Sequence, residues 1–178
     1  MGGFSQLRAT LALLGLAYSD DREFDYYVLL SGCDYPIRSN EFIDDYFDSG
    51  LTEAYIYSYE MPSEEFGKPL SRLTEYHLEI DGSSYGFRQK ARHQVNKILS
   101  RFGPDRDFAK HFEGREPYAG SSWWSMSSRA AGIVLETAAE SPCFLKFYKH
   151  SSNPDEMFFQ TVLMNSSLKH SVVLTGTY

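Results

Sequence analysis

The sequence predicts an α/β domain in which a sheet carries long functional loops. Strand patterns and helix patterns alternate along the chain, although irregularly, and this alternation favours an α/β fold over a β-sandwich. A chain of 178 residues is long enough for one domain with a hydrophobic core and too short for two ordinary ones. We therefore expect residues 1–178 to form a single domain.

The first predicted element is a helix that Ser5 caps. Its apolar face has helical spacing and consists of Leu7, Leu11, Leu14 and Tyr18. Residues 26–30 then read as a buried strand, because they are short and continuously apolar and end in Ser31-Gly32.

A short amphipathic helix follows Pro36, with its apolar residues between positions 42 and 47. Residues 54–61 alternate and predict one strand with Tyr55, Tyr57 and Tyr59 on the same side. Residues 62–86 contain two prolines and several glycines and look irregular.

The second half of the chain is mainly helical in prediction. Residues 87–102 form a basic helix, which Gly103-Pro104 ends. The residues expected to face inward on it are Phe87, Ala91, Val95, Ile98 and Phe102. An apolar stretch at 123–126 leads into a helix through residues 133–135, and a last helix spans about residues 154–165.

Composition narrows the function classes. The formal charge of −7 argues against a protein that grips a nucleic-acid backbone. Residues 88–115 nevertheless hold eight basic against three acidic side chains, which suits either a solvated helix face or contact with an anionic substrate or a membrane surface. Aromatic residues make up 16%, and such rings fill cores or stack on sugars.

The two cysteines, Cys33 and Cys143, make neither a disulfide framework nor a metal site. No secretory signal and no apolar run of about 18 residues is present. These observations predict a cytoplasmic protein.

Ser31, Gly32 and Asp34 follow the first predicted strand, where open α/β sheets place ligand contacts. Gly32 allows a ligand to approach the backbone, and the Asp34 carboxylate accepts hydrogen bonds from sugar hydroxyls. An Asx-type turn, in which Asp34 bonds its own backbone before Pro36, explains the pattern equally well.

Glu156 is the candidate catalytic base. In the run Asn153-Pro154-Asp155-Glu156, Asn153 stands at a predicted helix cap and Glu156 at the third helical position. The positive end of the helix dipole keeps a carboxylate ionised there, and a rigid turn fixes its direction. The alternative is a capping box in which Glu156 only bonds back to the Asn153 amide.

The segment Gly120-Ser121-Ser122-Trp123-Trp124 combines hydroxyls with two indole rings. It predicts either a wall on which a sugar stacks or a turn followed by a core strand, with at least one Trp in the core. Asp105-Arg106-Asp107 has the Asp-x-Asp pattern of metal-dependent nucleotide-sugar enzymes. It follows a helix end instead of a hydrophobic strand, so we do not expect a metal site.

Three blocks in this order and spacing resemble the core-2/I-branching β-1,6-N-acetylglucosaminyltransferase family, to which protein xylosyltransferases are related. The blocks are YVLLSGCDYPIR at 27–38, GSSWW at 120–124 and PDEMFFQTVL at 154–163, and the opening GGFSQ at 2–6 is also similar. The resemblance implies a GT-A-like glycosyltransferase fold. It also implies that the chain is the central and acceptor-side part of that domain, with the N-terminal nucleotide-binding half missing.

The resemblance further implies inverting transfer without a metal or other cofactor, with Glu156 as base. The substrates would be a UDP-sugar, with N-acetylglucosamine as the sugar, and a glycan acceptor. Donor contacts would fall to Ser31, Gly32 and Asp34, and acceptor contacts to Ser121, Ser122 and Trp123. In the xylosyltransferase branch an Asp base follows the Gly-Ser of the middle block; Ser122 stands there, which argues against xylosyl transfer by that route.

Two cysteines and no anchor imply a bacterial-type cytosolic member serving surface-polysaccharide assembly, with peripheral membrane association as an option. The alternative function is a non-catalytic carbohydrate-binding remnant of such an enzyme, because the chain lacks both the N-terminal half and the segment after the last helix in which the family holds the diphosphate.

Overall fold

The protein is described by a computed structural model over residues 3–48, 52–79 and 87–175, with residues 87–89 described for their backbone alone. The fold is mixed α/β, as the sequence predicts. The strands of the described part are β1 (Tyr26–Val28), β2 (Ala54–Tyr55), β3 (Ser58–Glu60), β4 (Tyr118–Gly120), β5 (Ser125–Ser127) and β6 (Val172–Val173).

The strands form two small sheets. The larger has the order β1-β5-β2-β6, in which β5 pairs antiparallel with β1 and β2, and β6 pairs parallel with β2. The smaller sheet consists of β3 and β4 in antiparallel register, with Ser58 opposite Gly120.

Helices supply most of the remaining structure. The α-helices are α1 (Phe4–Tyr18), α2 (Asn40–Asp48), α3 (Ser71–Thr74), α4 (Phe87–Phe102), α5 (Ser128–Glu140), α6 (Pro142–Phe147) and α7 (Phe158–Met164). Three single-turn 3₁₀ helices lie at Tyr148–His150, Pro154–Glu156 and Lys169–Ser171. Among the described helices, none has the length and apolar character that crossing a bilayer requires.

Helix α7 is the centre of the hydrophobic core. Its residues from Phe158 to Leu163 are all buried, and it packs against α5 and β4. The Thr161 hydroxyl accepts a hydrogen bond from the Tyr118 amide and donates to the Tyr118 carbonyl, both at 3.1 Å. Because α7 is buried on every side, the turn that precedes it is held rigidly.

The start of α1 differs from the prediction. Gly3 is the cap residue and makes no side-chain cap, while Ser5 lies inside the first turn. The amide and the hydroxyl of Ser5 both donate to the Glu79 carboxylate, at 2.9 and 2.5 Å. A distant carboxylate at the positive end of the helix dipole thus replaces the local cap.

The strand predicted over residues 26–30 is present, but it is shorter than predicted and it is not buried. β1 covers Tyr26–Val28 and lies at the edge of its sheet within the described chain, with Val28 and Leu30 exposed. The prediction of one strand over residues 54–61 is wrong, because β2 and β3 belong to different sheets. The rings of Tyr57 and Tyr59 stack on each other, while Tyr55 packs on Tyr46 instead.

Helix α4 spans the predicted residues, but its predicted inward face is exposed. Val95, Ile98 and Phe102 all lie on the surface, and the side chain of Phe87 is outside the described residues. The Asn96 side chain fixes the opposite, polar face, since it accepts from the Leu78 amide at 2.9 Å and donates to the Leu78 carbonyl at 3.2 Å. Amphipathic spacing identifies an apolar face but not what that face meets.

The close approach of β3 and β4 at Gly120 gives a stability prediction. A Cβ at Gly120 would overlap the backbone carbonyl of Tyr57. We expect Gly120→Ala to lower the free energy of unfolding by roughly 1–3 kcal/mol, as overpacking does when backbone must move. Urea denaturation measures this change.

Gly32→Ala is the matched control, because a Cβ at Gly32 meets nothing within 4 Å. Its effect should stay within about 0.5 kcal/mol, as at other open surface positions. Equal effects of the two substitutions would contradict the close approach.

Candidate active site

Glu156 lies in the 3₁₀ turn Pro154–Glu156, directly before α7. Asn153 has φ of 50° and ψ of 58°, in the left-handed region that Asn tolerates better than most residues. Asn153 is the cap residue, as predicted, but its side chain makes no cap hydrogen bond. The predicted continuous helix over residues 154–165 is wrong, because this turn and α7 are separate elements. The chain turns sharply at Asn153, and Pro154 and Asp155 are buried below the Glu156 carboxylate.

Two cations hold one oxygen of Glu156. Lys68 Nζ and Arg72 Nη1 each lie 2.7 Å from Oε2. Lys68 Nζ also donates to the Gly120 carbonyl at 2.6 Å, and Arg72 Nη2 donates to the Gly67 carbonyl at 3.1 Å. We call Lys68, Arg72 and Glu156 the ion triad. It joins β4, the chain around α3 and the turn before α7.

The other oxygen of Glu156 is nearly unoccupied. Within the described residues, Oε1 has a single polar contact, with Asn153 Nδ2 at 3.5 Å. The side chain of Glu156 is 23% exposed, whereas those of Lys68 and Arg72 are 13% and 17% exposed. The triad therefore binds one carboxylate oxygen tightly and leaves the second for a hydrogen-bond donor from outside.

The surroundings of Glu156 keep it ionised. Burial raises its pKa, but the hydrogen bonds and charges of Lys68 and Arg72 lower it by more, so the pKa lies below the usual value for Glu. An ionised carboxylate at neutral pH is the state that a general base needs. The arrangement can accept a proton at Oε1 and orient the carboxylate through Oε2.

Asp155 has the opposite environment. Its Oδ2 accepts from Ser122 Oγ at 2.6 Å and from Gln6 Nε2 at 3.1 Å, while its Oδ1 is buried without a partner in the described part. Burial raises the pKa of Asp155. Asp155 thus ties α1 to the segment between β4 and β5, and it faces into the protein.

The middle block lies beside this turn. The Ser122 hydroxyl donates to Asp155, and the Ser121 carbonyl accepts from the buried Gln160 side chain at 2.5 Å. Trp124 is buried against Phe159, which confirms that one Trp belongs to the core. Trp123 is half-buried, and its amide donates to Ser121 Oγ at 3.2 Å.

The structure thus brings together the residues of three of the four similar blocks: Gln6, Ser121, Ser122, Asp155 and Glu156. The sequence matches the model of the family described as core-2/I-branching enzyme over residues 1–177. The chain belongs to the core-2/I-branching enzyme family. Members of this family are glycosyltransferases, so the resemblance seen in the sequence is confirmed at the level of the family. None of the curated proteins compared with the chain matches it.

In this core-2/I-branching enzyme, the first block forms an exposed turn after β1. Asp34 Oδ2 accepts from the Ser31 amide at 2.6 Å, and Ser31 Oγ accepts from the Cys33 amide at 3.2 Å. The Asp34 carboxylate therefore bonds local backbone, but at Ser31, three residues before it, and the turn from residue i to i+2 is made by the Ser31 hydroxyl instead of by Asp34. In the described chain, no hydrogen bond joins Ser31 or Asp34 to the ion triad, so the structure does not bring the predicted donor residues into contact with Glu156.

The Asp-x-Asp pattern at residues 105–107 lies in the loop that follows α4. Asp107 forms an exposed ion pair with Lys110 at 3.0 Å. The described residues contain no group of three or more His, Cys, Asp or Glu side chains that would hold a metal ion.

Arg106, the middle residue of Asp105-Arg106-Asp107, is the buried member of that motif. Its guanidinium donates to the carbonyls of Phe147 and His150 and to Ser151 Oγ, the last at 3.1 Å. Burial lowers the pKa of Arg106 to about 10, so it stays charged at neutral pH. Arg106 thereby holds the chain that leads into the turn at Asn153.

Sequence reasoning missed Lys68 and Arg72. They lie in the segment interpreted as irregular, and their partner Glu156 is 88 and 84 residues away along the chain. One weak signal was present, since a spacing of four residues places two cations on the same side of a helical turn. Nothing in that spacing names the carboxylate that they bind.

The opposite pKa shifts of Asp155 and Glu156 predict opposite effects of pH on two isosteric variants. The lowered pKa of Glu156 means that its ion pairs stabilise the fold above the unfolded-state pKa of 4.5, and that this stability is lost as the pH falls through the folded-state pKa. The raised pKa of Asp155 means that stability is lost as the pH rises from 3.8 through its folded-state pKa.

We therefore expect Glu156→Gln to cost about 1–3 kcal/mol at pH 7, because two largely buried cations lose their partner, and to cost less below pH 4.5. Asp155→Asn should cost less at pH 7 than at pH 3.5. Urea denaturation of both variants and the wild type across this pH range gives the two trends. Trends of the same sign would contradict the assigned environments.

Proposed function

We propose that this chain carries the acceptor side of an inverting, metal-independent glycosyltransferase that moves a sugar from a UDP-sugar to a glycan hydroxyl, with Glu156 as the general base. The family membership supports sugar transfer. The resemblance of the PDE block to the N-acetylglucosaminyltransferase branch favours N-acetylglucosamine as the sugar and a GT-A-type fold. The observation that carries the proposal is the different environment of the two carboxylate oxygens of Glu156. Two cations bind Oε2, and Oε1 is left for a hydroxyl.

The reaction is a single displacement. Oε1 of Glu156 accepts the proton of the acceptor hydroxyl while the hydroxyl oxygen attacks the anomeric carbon. The bond between that carbon and the diphosphate oxygen breaks, and the nucleoside diphosphate leaves with the electron pair. Because attack and departure occur on opposite faces of the sugar, the anomeric configuration inverts.

Lys68 and Arg72 have two opposing effects on Glu156 as a base. They keep Glu156 ionised and hold its direction, and a fixed base is worth more than a mobile one. They also make it a weaker base, since they stabilise the form without a proton. The acceptor hydroxyl becomes more acidic as its oxygen bonds to carbon, so a base of lowered pKa is sufficient.

Metal independence is part of this proposal because the family resemblance implies it. Without a metal, the charge of the leaving diphosphate must be met by basic side chains and backbone amides. We propose Ser31, Gly32 and Asp34 as donor contacts, because the turn they form is open and exposed.

On the acceptor side, we propose Ser121, Ser122 and Trp123 as sugar contacts. Ser122 donates to Asp155, which leaves its oxygen lone pairs for a sugar hydroxyl. The partly exposed ring of Trp123 offers a stacking surface. Ser122 stands where the xylosyltransferase branch carries its Asp base, which favours Glu156 over a base at position 122.

Glu156→Gln is expected to abolish transfer, because an amide oxygen cannot take up the proton, and to reduce turnover by at least about 100-fold. The measurement is release of UDP from UDP-N-acetylglucosamine in the presence of candidate glycan acceptors, with thermal unfolding to confirm that the variant folds.

Glu53→Gln is the matched control. Glu53 is 21% exposed, close to the value for Glu156, and also forms an ion pair, with Arg129 at 3.2 Å. It should keep transfer and lose less stability than Glu156→Gln, because its partner Arg129 is 65% exposed. Turnover in Glu156→Gln equal to that in Glu53→Gln would refute the base assignment. Glycan binding by the wild type without transfer to any acceptor would favour the carbohydrate-binding remnant.

A further inference from the structure

A cavity of about 490 Å³ opens between α4 and the chain around α3. Its volume lies in the range of roughly 300–1,000 Å³ that is typical of small-molecule sites. Arg92 and Lys97 line it from α4, and Ser152 lines it from the chain before the Glu156 turn. Arg72 lines it as well and donates to Glu156 Oε2 at 2.7 Å, so the cavity adjoins the proposed base.

The cavity is cationic although the chain as a whole carries a charge of −7. Arg72, Arg92 and Lys97 face Glu75 as the acidic lining residue. Glu156 balances the charge of Arg72, but in the described part neither Arg92 nor Lys97 has a carboxylate within 4 Å. Two cations on one wall that have no carboxylate partner among the described residues attract an anion.

The remaining lining groups suit a sugar. Ser71, Ser100 and Ser152 bring hydroxyls, and Tyr76 brings a ring with a hydroxyl. Burial lowers the pKa of His77, and the charge of Arg92 lowers it further, as expected beside a positive field. The side-chain amide of Asn96 accepts from the Leu78 amide and donates to the Leu78 carbonyl, which fixes α4 as a wall of the cavity.

We propose that this cavity binds a negatively charged substituent, a carboxylate or a sulfate, on the acceptor saccharide. Arg92 and Lys97 hold the charged group, and the hydroxyl of the neighbouring sugar then reaches Glu156 Oε1. The proposal rests on the proposed function. The cavity belongs to the acceptor and not to the donor diphosphate, because in an inverting displacement the base and the leaving group stand on opposite faces of the reacting carbon.

The test is titration calorimetry without donor, using four probes. They are a tetrasaccharide of alternating glucuronic acid and N-acetylglucosamine, its carboxyl-reduced neutral form, that neutral form carrying 6-sulfates, and UDP. We expect at least one of the two charged tetrasaccharides to bind at least about tenfold more tightly than the neutral one, through charge-assisted hydrogen bonds. The two charged probes distinguish a carboxylate from a sulfate.

In the double variant Arg92→Gln, Lys97→Gln, the affinities for the charged and neutral tetrasaccharides should lie within about twofold of each other, since the two positive charges that bind the anionic group are gone. Lys90→Gln, Arg101→Gln is the matched control, because both residues are exposed on α4 and do not line the cavity. It removes the same charge and should keep the preference.

Three results would overturn the proposal: no preference for a charged tetrasaccharide, equal losses in the two double variants, or UDP binding that Arg92→Gln, Lys97→Gln removes. The last result would assign the cavity to the donor. Failure of the proposed function is seen separately, as transfer that survives Glu156→Gln. The calorimetric preference for a charged tetrasaccharide is measured without donor and without turnover.

Discussion

The ion pairs of Glu156 with Lys68 and Arg72 are the interaction on which the rest of the site depends. All three side chains are less than a quarter exposed, so removal of one charge leaves the others poorly compensated inside the protein. The triad also connects chain segments that are far apart in sequence, because Lys68 reaches the Gly120 carbonyl of β4. One contact set thus fixes the fold locally and places the two carboxylate oxygens of Glu156 in different environments.

Asp155 and Glu156 show how two consecutive carboxylates acquire different chemistry. Asp155 points into the protein towards Gln6 and Ser122, and burial raises its pKa. Glu156 meets two cations, and its pKa is lowered. Environments that push the pKa values of neighbouring groups apart are typical of acid–base sites. Here they separate a carboxyl that joins structural elements from one that is available for proton transfer.

Local sequence signals were sufficient to locate several helices, but not for the parts that tertiary contacts decide. The spacing of apolar residues correctly predicted α1 and α4, and Pro154 correctly marked the start of a helical turn. The spacing did not predict that Val95 and Ile98 lie on the surface, because the helical period of apolar residues does not determine what covers that face of the helix. Strands of two or three residues are equally hard to predict, since their pairing comes from distant chain segments.

The same limit applies to the candidate site. Motifs single out Glu156, Ser121 and Ser122 as candidates, whereas Lys68 and Arg72 are defined by a partner more than 80 residues away. A carbon-13 NMR titration of the Glu156 side-chain carboxyl in the wild-type protein tests the effect of these ion pairs most directly. We expect the pKa of Glu156 to lie below the ordinary value of 4.5 and to rise towards that value in Arg72→Gln. A wild-type pKa at or above 4.5 that Arg72→Gln leaves unchanged would contradict this expectation.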